Sequence, residues 1–111
     1  MRQGPPSARI RTRHVAVGES ATDLAASAGA RALSHAGIGA DEIDLIVCMT
    51  ITPDAVIPSQ ACLVKARLGL SRAVAFDLNA ACTGCIYGIE VASSMLEASA
   101  ADAARASRRA G

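Results

Sequence analysis

Short apolar runs alternate along this chain with stretches in which small residues recur at helical spacing. Ile10 to Val17 reads as a short strand of imperfect alternation, broken by Gly18. Beyond it Leu24, Ala25, Ala28, Ala32, Leu33 and Ala36 return every three or four residues, which predicts a helix with one small-residue face. Ser20, followed three residues on by Asp23, has the form of a capping box at its start. Gly37 is placed as its C-terminal stop, with His35 in the last turn, where a cation is favoured. Ala40 to Ile43 forms a single turn. The run Leu45-Ile46-Val47-Cys48-Met49 has no polar alternation, as expected of a parallel strand covered on both faces. A loop from Thr50 to Pro58 leads to a second helix, entered through Pro58, capped by Ser59 and ended after Leu68 by Gly69. Ala73 to Leu78 is a second buried strand, and Asn79-Ala80-Ala81-Cys82-Thr83-Gly84 follows it directly. A third helix should start there, with Ile86, Ile89 and Leu96 turned inward.

Strand, helix, strand and helix within about 55 residues form a βαβα unit, whose crossover should be right-handed and whose strands should be parallel. The fold class is therefore layered α/β. Residues 1–9, with Gly4, Pro5 and Pro6, read as a loose lead-in, residues 10–98 as the structured domain, and residues 99–111 as a tail of Ala, Arg and Ser, helical or frayed.

Composition narrows the function classes. The 111 residues suffice for one domain and are too few for two ordinary ones. Apolar residues make up 51% and aromatics only 2%, which suits tight packing of helices on a sheet better than an aromatic binding surface. A formal charge of +1 gives no case for nucleic acid, and the arginines at either end read as solvated faces. No apolar run approaches the roughly 20 residues of a membrane helix. No apolar stretch follows the N-terminal arginines, so no secretory signal is expected and the cytoplasm is the expected compartment. Cys48, Cys62, Cys82 and Cys85 then read as reduced thiols rather than a disulfide frame.

Cys82 stands at the turn between a buried strand and a helix, where free N–H groups and the helix dipole favour a thiolate. Ala80, Ala81, Thr83 and Gly84 would let a substrate carbonyl approach, and backbone N–H groups nearby could serve an oxyanion. By spacing alone Cys82 is either a nucleophile or a small buried core residue, the commoner fate of a free cysteine. Cys82-Thr83-Gly84-Cys85 is also a C-x-x-C, the arrangement of thiol–disulfide enzymes and half of a zinc site. A second ligand pair for zinc is not evident, and no metal is expected. His14, flanked by arginines, and His35 read as surface or capping residues. Asp77 reads as a hydrogen-bonding group at a strand–helix junction.

The stretches Thr52-Pro53-Asp54, Ile57-Pro58-Ser59, Ala61-Cys62, Arg67-Leu68-Gly69, Ala75-Phe76-Asp77-Leu78 and Ala80-Ala81-Cys82-Thr83-Gly84 occur in a telling order and spacing. So ordered, they resemble the β-ketoacyl-acyl-carrier-protein synthase III family, over roughly residues 9–98. The resemblance implies a thiolase-like layered fold, here its partial N-terminal half. It implies a ping-pong Claisen condensation, with Cys82 acylated by an acyl-CoA and the acyl-enzyme attacked by the carbanion of decarboxylating malonyl-acyl-carrier protein. Acyl-CoA enters as substrate, and no cofactor is implied. The partners implied are an acyl carrier protein and a second copy in a homodimer, across which the Ile57 loop would reach the partner's acyl pocket. Ile57, Thr83 and Gly84 are the candidate substrate-binding residues beside Cys82.

Four departures qualify the expectation, one being the tail Ala-Ala-Arg-Ala-Ser-Arg-Arg where the family goes on into a valine-rich strand. The family's His and Asn, which serve decarboxylation and the oxyanion, lie in a C-terminal half that these residues do not include. The family's first strand, before Arg9, is not evident. Cys85 stands where the family usually has an aromatic residue. The chain alone is therefore expected to carry the nucleophile without completing the condensation. The alternatives are a secondary-metabolite or polyketide-starter condensing enzyme using the same cysteine, and a redox-active or non-catalytic thiol protein.

Overall fold

A computed structural model describes residues 2–5, 7 and 9–110. Its elements are β1 (Arg2–Gln3), β2 (Thr12–Arg13), α1 (Ala21–Ala36), β3 (Leu45–Met49), α2 (Gln60–Leu68), β4 (Val74–Leu78) and α3 (Gly84–Ala110), with 3-10 turns at Ala40–Glu42 and Ala81–Thr83. β3 and β4 pair in parallel, Leu45 opposite Val74 through Met49 opposite Leu78, and α2 is the crossover between them.

The helix boundaries follow local chemistry. The Ser20 side chain accepts from the Asp23 amide at 3.1 Å while the Asp23 carboxylate accepts from the Ser20 amide at 3.0 Å, which completes the capping box. Ser59 likewise accepts from the Cys62 amide at 3.2 Å. Gly37 and Gly69 both sit at φ 68°, a left-handed turn that a side chain would disfavour. Each is followed by a residue whose amide reaches back, Ile38 to the Leu33 carbonyl at 3.0 Å and Leu70 to that of Lys65 at 3.1 Å. Those bonds occupy carbonyls that the helix end would otherwise leave without partners.

Strand alternation divides the two layers. Ile46 and Cys48 face α1 and α2, whereas Val47 and Met49 face α3. The buried core lies on the first side and consists of Ala26, Ala61, Val64, Leu70 and Ala73, joined by the polar Thr22 and Gln60. On the second side Gly84 and Gly88 are buried one turn apart against β3. A Cβ on Gly88 would collide with the Met49 side chain, so glycine is what lets α3 approach the strand this closely.

Several expectations are corrected. Only Thr12–Arg13 of the predicted strand Ile10 to Val17 is extended in a ladder, and it pairs antiparallel with Arg2–Gln3, inside the segment read as a loose lead-in. The expected inner face of α1 is rotated: Thr22 and Ala26 are buried, with Gly29 and Leu33 partly covered, while Ala28, Ala32 and Ala36 are exposed. An alanine-rich helix has little periodicity to fix its rotation, and contact with α2 decides it. Ile86 is 70% exposed rather than inward, whereas Ile89 and Leu96 line the groove against Leu45 and Val47 of β3 without being buried, at 61% and 47% exposed. The buried small residues Gly84 and Gly88 make the close approach to the strand. The Ala/Arg/Ser tail is helical, one of the two states expected of it, and continues α3 without interruption to Ala110.

Candidate active site

Two strand-to-helix exits lie at the C-terminal ends of β3 and β4, and they are built differently. After β3 the chain passes through the 50–59 loop into α2. Both carboxylate oxygens of Asp77, on β4, accept from the first amides of that helix, Gln60 at 2.8 Å and Ala61 at 2.7 Å. An anion at a helix N-terminus is favoured by the dipole and fills two amides that lack intrahelical partners. The buried Gln60 side chain accepts from the Asp54 amide at 2.9 Å and donates to the Thr22 hydroxyl at 2.7 Å. Thr22 in turn donates to Asp54 at 2.5 Å, and Asp54 also accepts from the amides of Ala21 at 3.0 Å and Thr22 at 2.8 Å. The Thr22 hydroxyl and amide, with the Ala21 amide, hold the Asp54 carboxyl below the usual carboxylate range. No buried side-chain nitrogen or oxygen among the described residues lacks a partner.

The exit from β4 is open. Ala80 supplies no side-chain cap, and Ala81 adopts φ 46°, a left-handed conformation that costs a residue with a Cβ about 1–2 kcal/mol. Cys82 follows immediately, exposed to solvent, within the 3-10 turn that feeds α3. The Thr83 hydroxyl donates to the Ala80 carbonyl at 2.7 Å and so holds the turn together. Gly84 is buried, its α-carbon facing Met49 of β3, and Cys85 is exposed on the first turn of α3.

Of the candidate residues, the structure brings Cys82 and Thr83 together at an exposed turn and places Gly84 beneath them as a packing residue. Ile57 lies in the 50–59 loop with 87% of its surface exposed, beside Val56 at 85%. Asp77 is a junction residue, as expected, but the helix it caps is α2, not the helix that carries Cys82. His14 and His35 are exposed and belong to neither exit. Among the described residues no three His, Cys, Asp or Glu side chains converge as metal ligands. Cys48, opposite Asp77 in the ladder, is a different kind of thiol: burial pushes it up, and the Asp77 charge adds to that. The Thr22–Asp54–Gln60 cluster escaped sequence reading, although the quoted Thr52-Pro53-Asp54 stretch contained one member of it.

A parallel βαβ pair with helices on both faces and a thiol at the second strand-to-helix turn is a unit of the thiolase-like condensing-enzyme fold. The comparisons agree. The chain superimposes on 3-oxoacyl-acyl-carrier-protein synthase III from Aquifex aeolicus with a TM-score of 0.77 and 40% identity, covering 81% of this chain and 29% of that one. A tetronic acid condensing enzyme matches with a TM-score of 0.74 and 40% identity, over 78% of this chain and 29% of the other. By sequence the chain is 47% identical over 90 residues to β-ketoacyl-acyl-carrier-protein synthase III of Rhodospirillum centenum, 80% of this chain and 28% of that protein. No protein-family model matches the chain. By sequence and by fold the chain matches the N-terminal portion of β-ketoacyl-acyl-carrier-protein synthase III proteins. It spans about 28% of the length of that relative. No helix among the described residues is long and apolar enough to cross a membrane.

Proposed function

We propose that this chain carries the acyl-accepting nucleophile of a condensing acyltransferase, and that Cys82 is that nucleophile. The observation that carries the reading is the exposed Cys82 thiol directly after the left-handed Ala81, where β4 hands over to α3. The thiolate attacks the carbonyl carbon of an acyl-CoA thioester, and collapse of the tetrahedral intermediate breaks the carbon–sulfur bond to CoA. The acyl group stays on Cys82 and CoA leaves as the thiolate, which takes up a proton. The acyl-enzyme then accepts the carbanion formed when malonyl-acyl-carrier protein loses CO2, which releases the Cys82 thiolate.

Backbone N–H groups at the start of α3 favour the negative charge on the tetrahedral oxygen. Thr83, by closing the turn onto Ala80, and Gly84, by seating α3 on Met49, position the thiol. Val56 and Ile57, apolar and almost fully exposed, suit a contact across a homodimer in which the loop reaches the partner's acyl chain. The reaction needs acyl-CoA and acyl carrier protein as partners, takes place in the cytoplasm and uses no cofactor. A condensing enzyme of secondary metabolism, with the same nucleophile and other acyl chains, is a second reading favoured by the likeness to the tetronic acid condensing enzyme.

The test is intact-mass spectrometry of the folded chain after incubation with acetyl-CoA and longer acyl-CoAs. One acyl adduct, lost in Cys82→Ser and retained in Cys85→Ser, is expected. No adduct on folded chain, or an adduct that survives Cys82→Ser, overturns the assignment. The acyl chain that loads fastest separates the two readings.

A further inference from the structure

Cys85 has no part in the acyl transfer just described, yet it is exposed on the first turn of α3, three residues after the exposed Cys82. In a helical or 3-10 turn, residues three apart lie on one side with Cβ atoms about 5–6 Å apart. A disulfide needs Cβ atoms roughly 3.5–4.5 Å apart, so the turn must draw the two together by roughly 1–2 Å for the bond to close. The intervening Thr83 and Gly84 impose little obstacle: Thr83 turns its hydroxyl to Ala80, and Gly84 has no side chain. The other two thiols are placed differently. Cys48 is half-buried in β3 and held up by burial, and Cys62 sits on α2 with its sulfur 4.0 Å from the Ala75 carbonyl.

We propose that Cys82 and Cys85 form a reversible disulfide under peroxide, which switches the nucleophile off and shields it from irreversible oxidation. The Cys82 thiolate attacks one oxygen of hydrogen peroxide, the O–O bond breaks, and hydroxide leaves to give Cys82 sulfenic acid. The Cys85 thiol then attacks the sulfenyl sulfur, the S–O bond breaks, and the oxygen departs as water with the thiol's proton. Two thiols and one peroxide thus yield one disulfide and two waters. A small dithiol reverses the step by exchange and restores the Cys82 thiol. As a switch on acylation this rests on the nucleophile assignment above, whereas disulfide formation itself does not.

The experiment treats the full chain with stoichiometric hydrogen peroxide, alkylates the remaining thiols and maps the peptides by mass. The peptide holding Cys82 and Cys85 is expected to be two hydrogens lighter and unalkylated, with Cys48 and Cys62 alkylated. Dithiothreitol should return both thiols. In Cys85→Ser, Cys82 should instead be trapped by dimedone as the sulfenic acid and, without dimedone, advance to the sulfinic acid. Cys82 advancing to sulfinic acid in the unaltered chain, or pairing with Cys62, overturns the proposal. So does recovery of both thiols alkylated. The reduced and oxidised forms are then offered acyl-CoA. Loss of the adduct on oxidation and its return with dithiothreitol establish the switch. A disulfide in a chain that takes no acyl group even when reduced overturns the nucleophile assignment, and the switch with it, while leaving the disulfide standing.

Discussion

The exits from β3 and β4 begin from paired residues of one ladder and end at opposite chemical extremes. At the first, both carboxylates are hydrogen-bonded: Asp77 holds the start of α2, and Gln60 and Thr22 tie that start to α1 and Asp54. At the second, the turn is held by short local bonds, one residue is left-handed, and a thiol stands in water. Under the proposed function the contrast separates scaffold from reagent. A carboxylate satisfied by two amides is poorly available for chemistry, and a thiol with no hydrogen-bond partner is poor as scaffold. The hydrogen-bonded junction lies one strand away from the open one.

That contrast can be broken at either end. The largest effect is expected from Cys82→Ser, which should abolish the acyl adduct while leaving the urea midpoint almost unchanged, because an exposed side chain contributes little to stability. Next comes Asp77→Asn, which removes the charge from two amide contacts and should destabilise the chain by about 2–3 kcal/mol in urea melts. Acylation per folded molecule should persist; its loss at equal folded fraction would mean Asp77 serves the thiol directly. Ser59→Ala removes the side-chain cap of the same helix and should cost about 1 kcal/mol, measured the same way.

The smallest effect concerns the capping box of α1. The Ser20 amide, aided by the Arg67 guanidinium 3.0 Å away and the Ser20 hydroxyl, holds the Asp23 carboxyl below its ordinary value. A depressed folded-state value means this contribution is present above the ordinary carboxylate range and fades as pH falls through the lowered one. Acid titration of the urea midpoint should therefore be slightly shallower in Asp23→Asn than in the unaltered chain. Equal slopes would show the box to be electrostatically idle.

Local signals made much of this legible in the sequence. Ser20 with Asp23, Gly37, Ser59 and Gly69 each act within a few residues, and each bounds a helix where the residues suggested. The apolar runs at Leu45 and Ala73 placed the strands, and the Ala-Ala-Cys string placed the thiol at a turn. Partners brought from 17, 32 and 38 residues away were not legible, since nothing near Thr22 or Gln60 reports what folding carries to them. Rotation of α1 was lost for a related reason, because alanine on every side gives a helix no preferred face. The exposure of Ile86 and Ile89 has another cause. Apolar character says that a residue gains from cover, and the glycines beside it say which face reaches the strand.

Helix α3 is longer than the layer it packs on. Its 27 residues span about 40 Å, and from Ser93 onward the described side chains are exposed. Beyond Leu96, which still lines the groove against β3, the stretch lives largely on alanine propensity, and at this length that is marginal in water. Its amides should exchange with solvent near the rate of a free peptide, while those of Gly88 to Ala92 exchange only when the sheet opens. The last turns can thus melt and re-form many times while the sheet stays closed, without that event registering at the Cys82 turn.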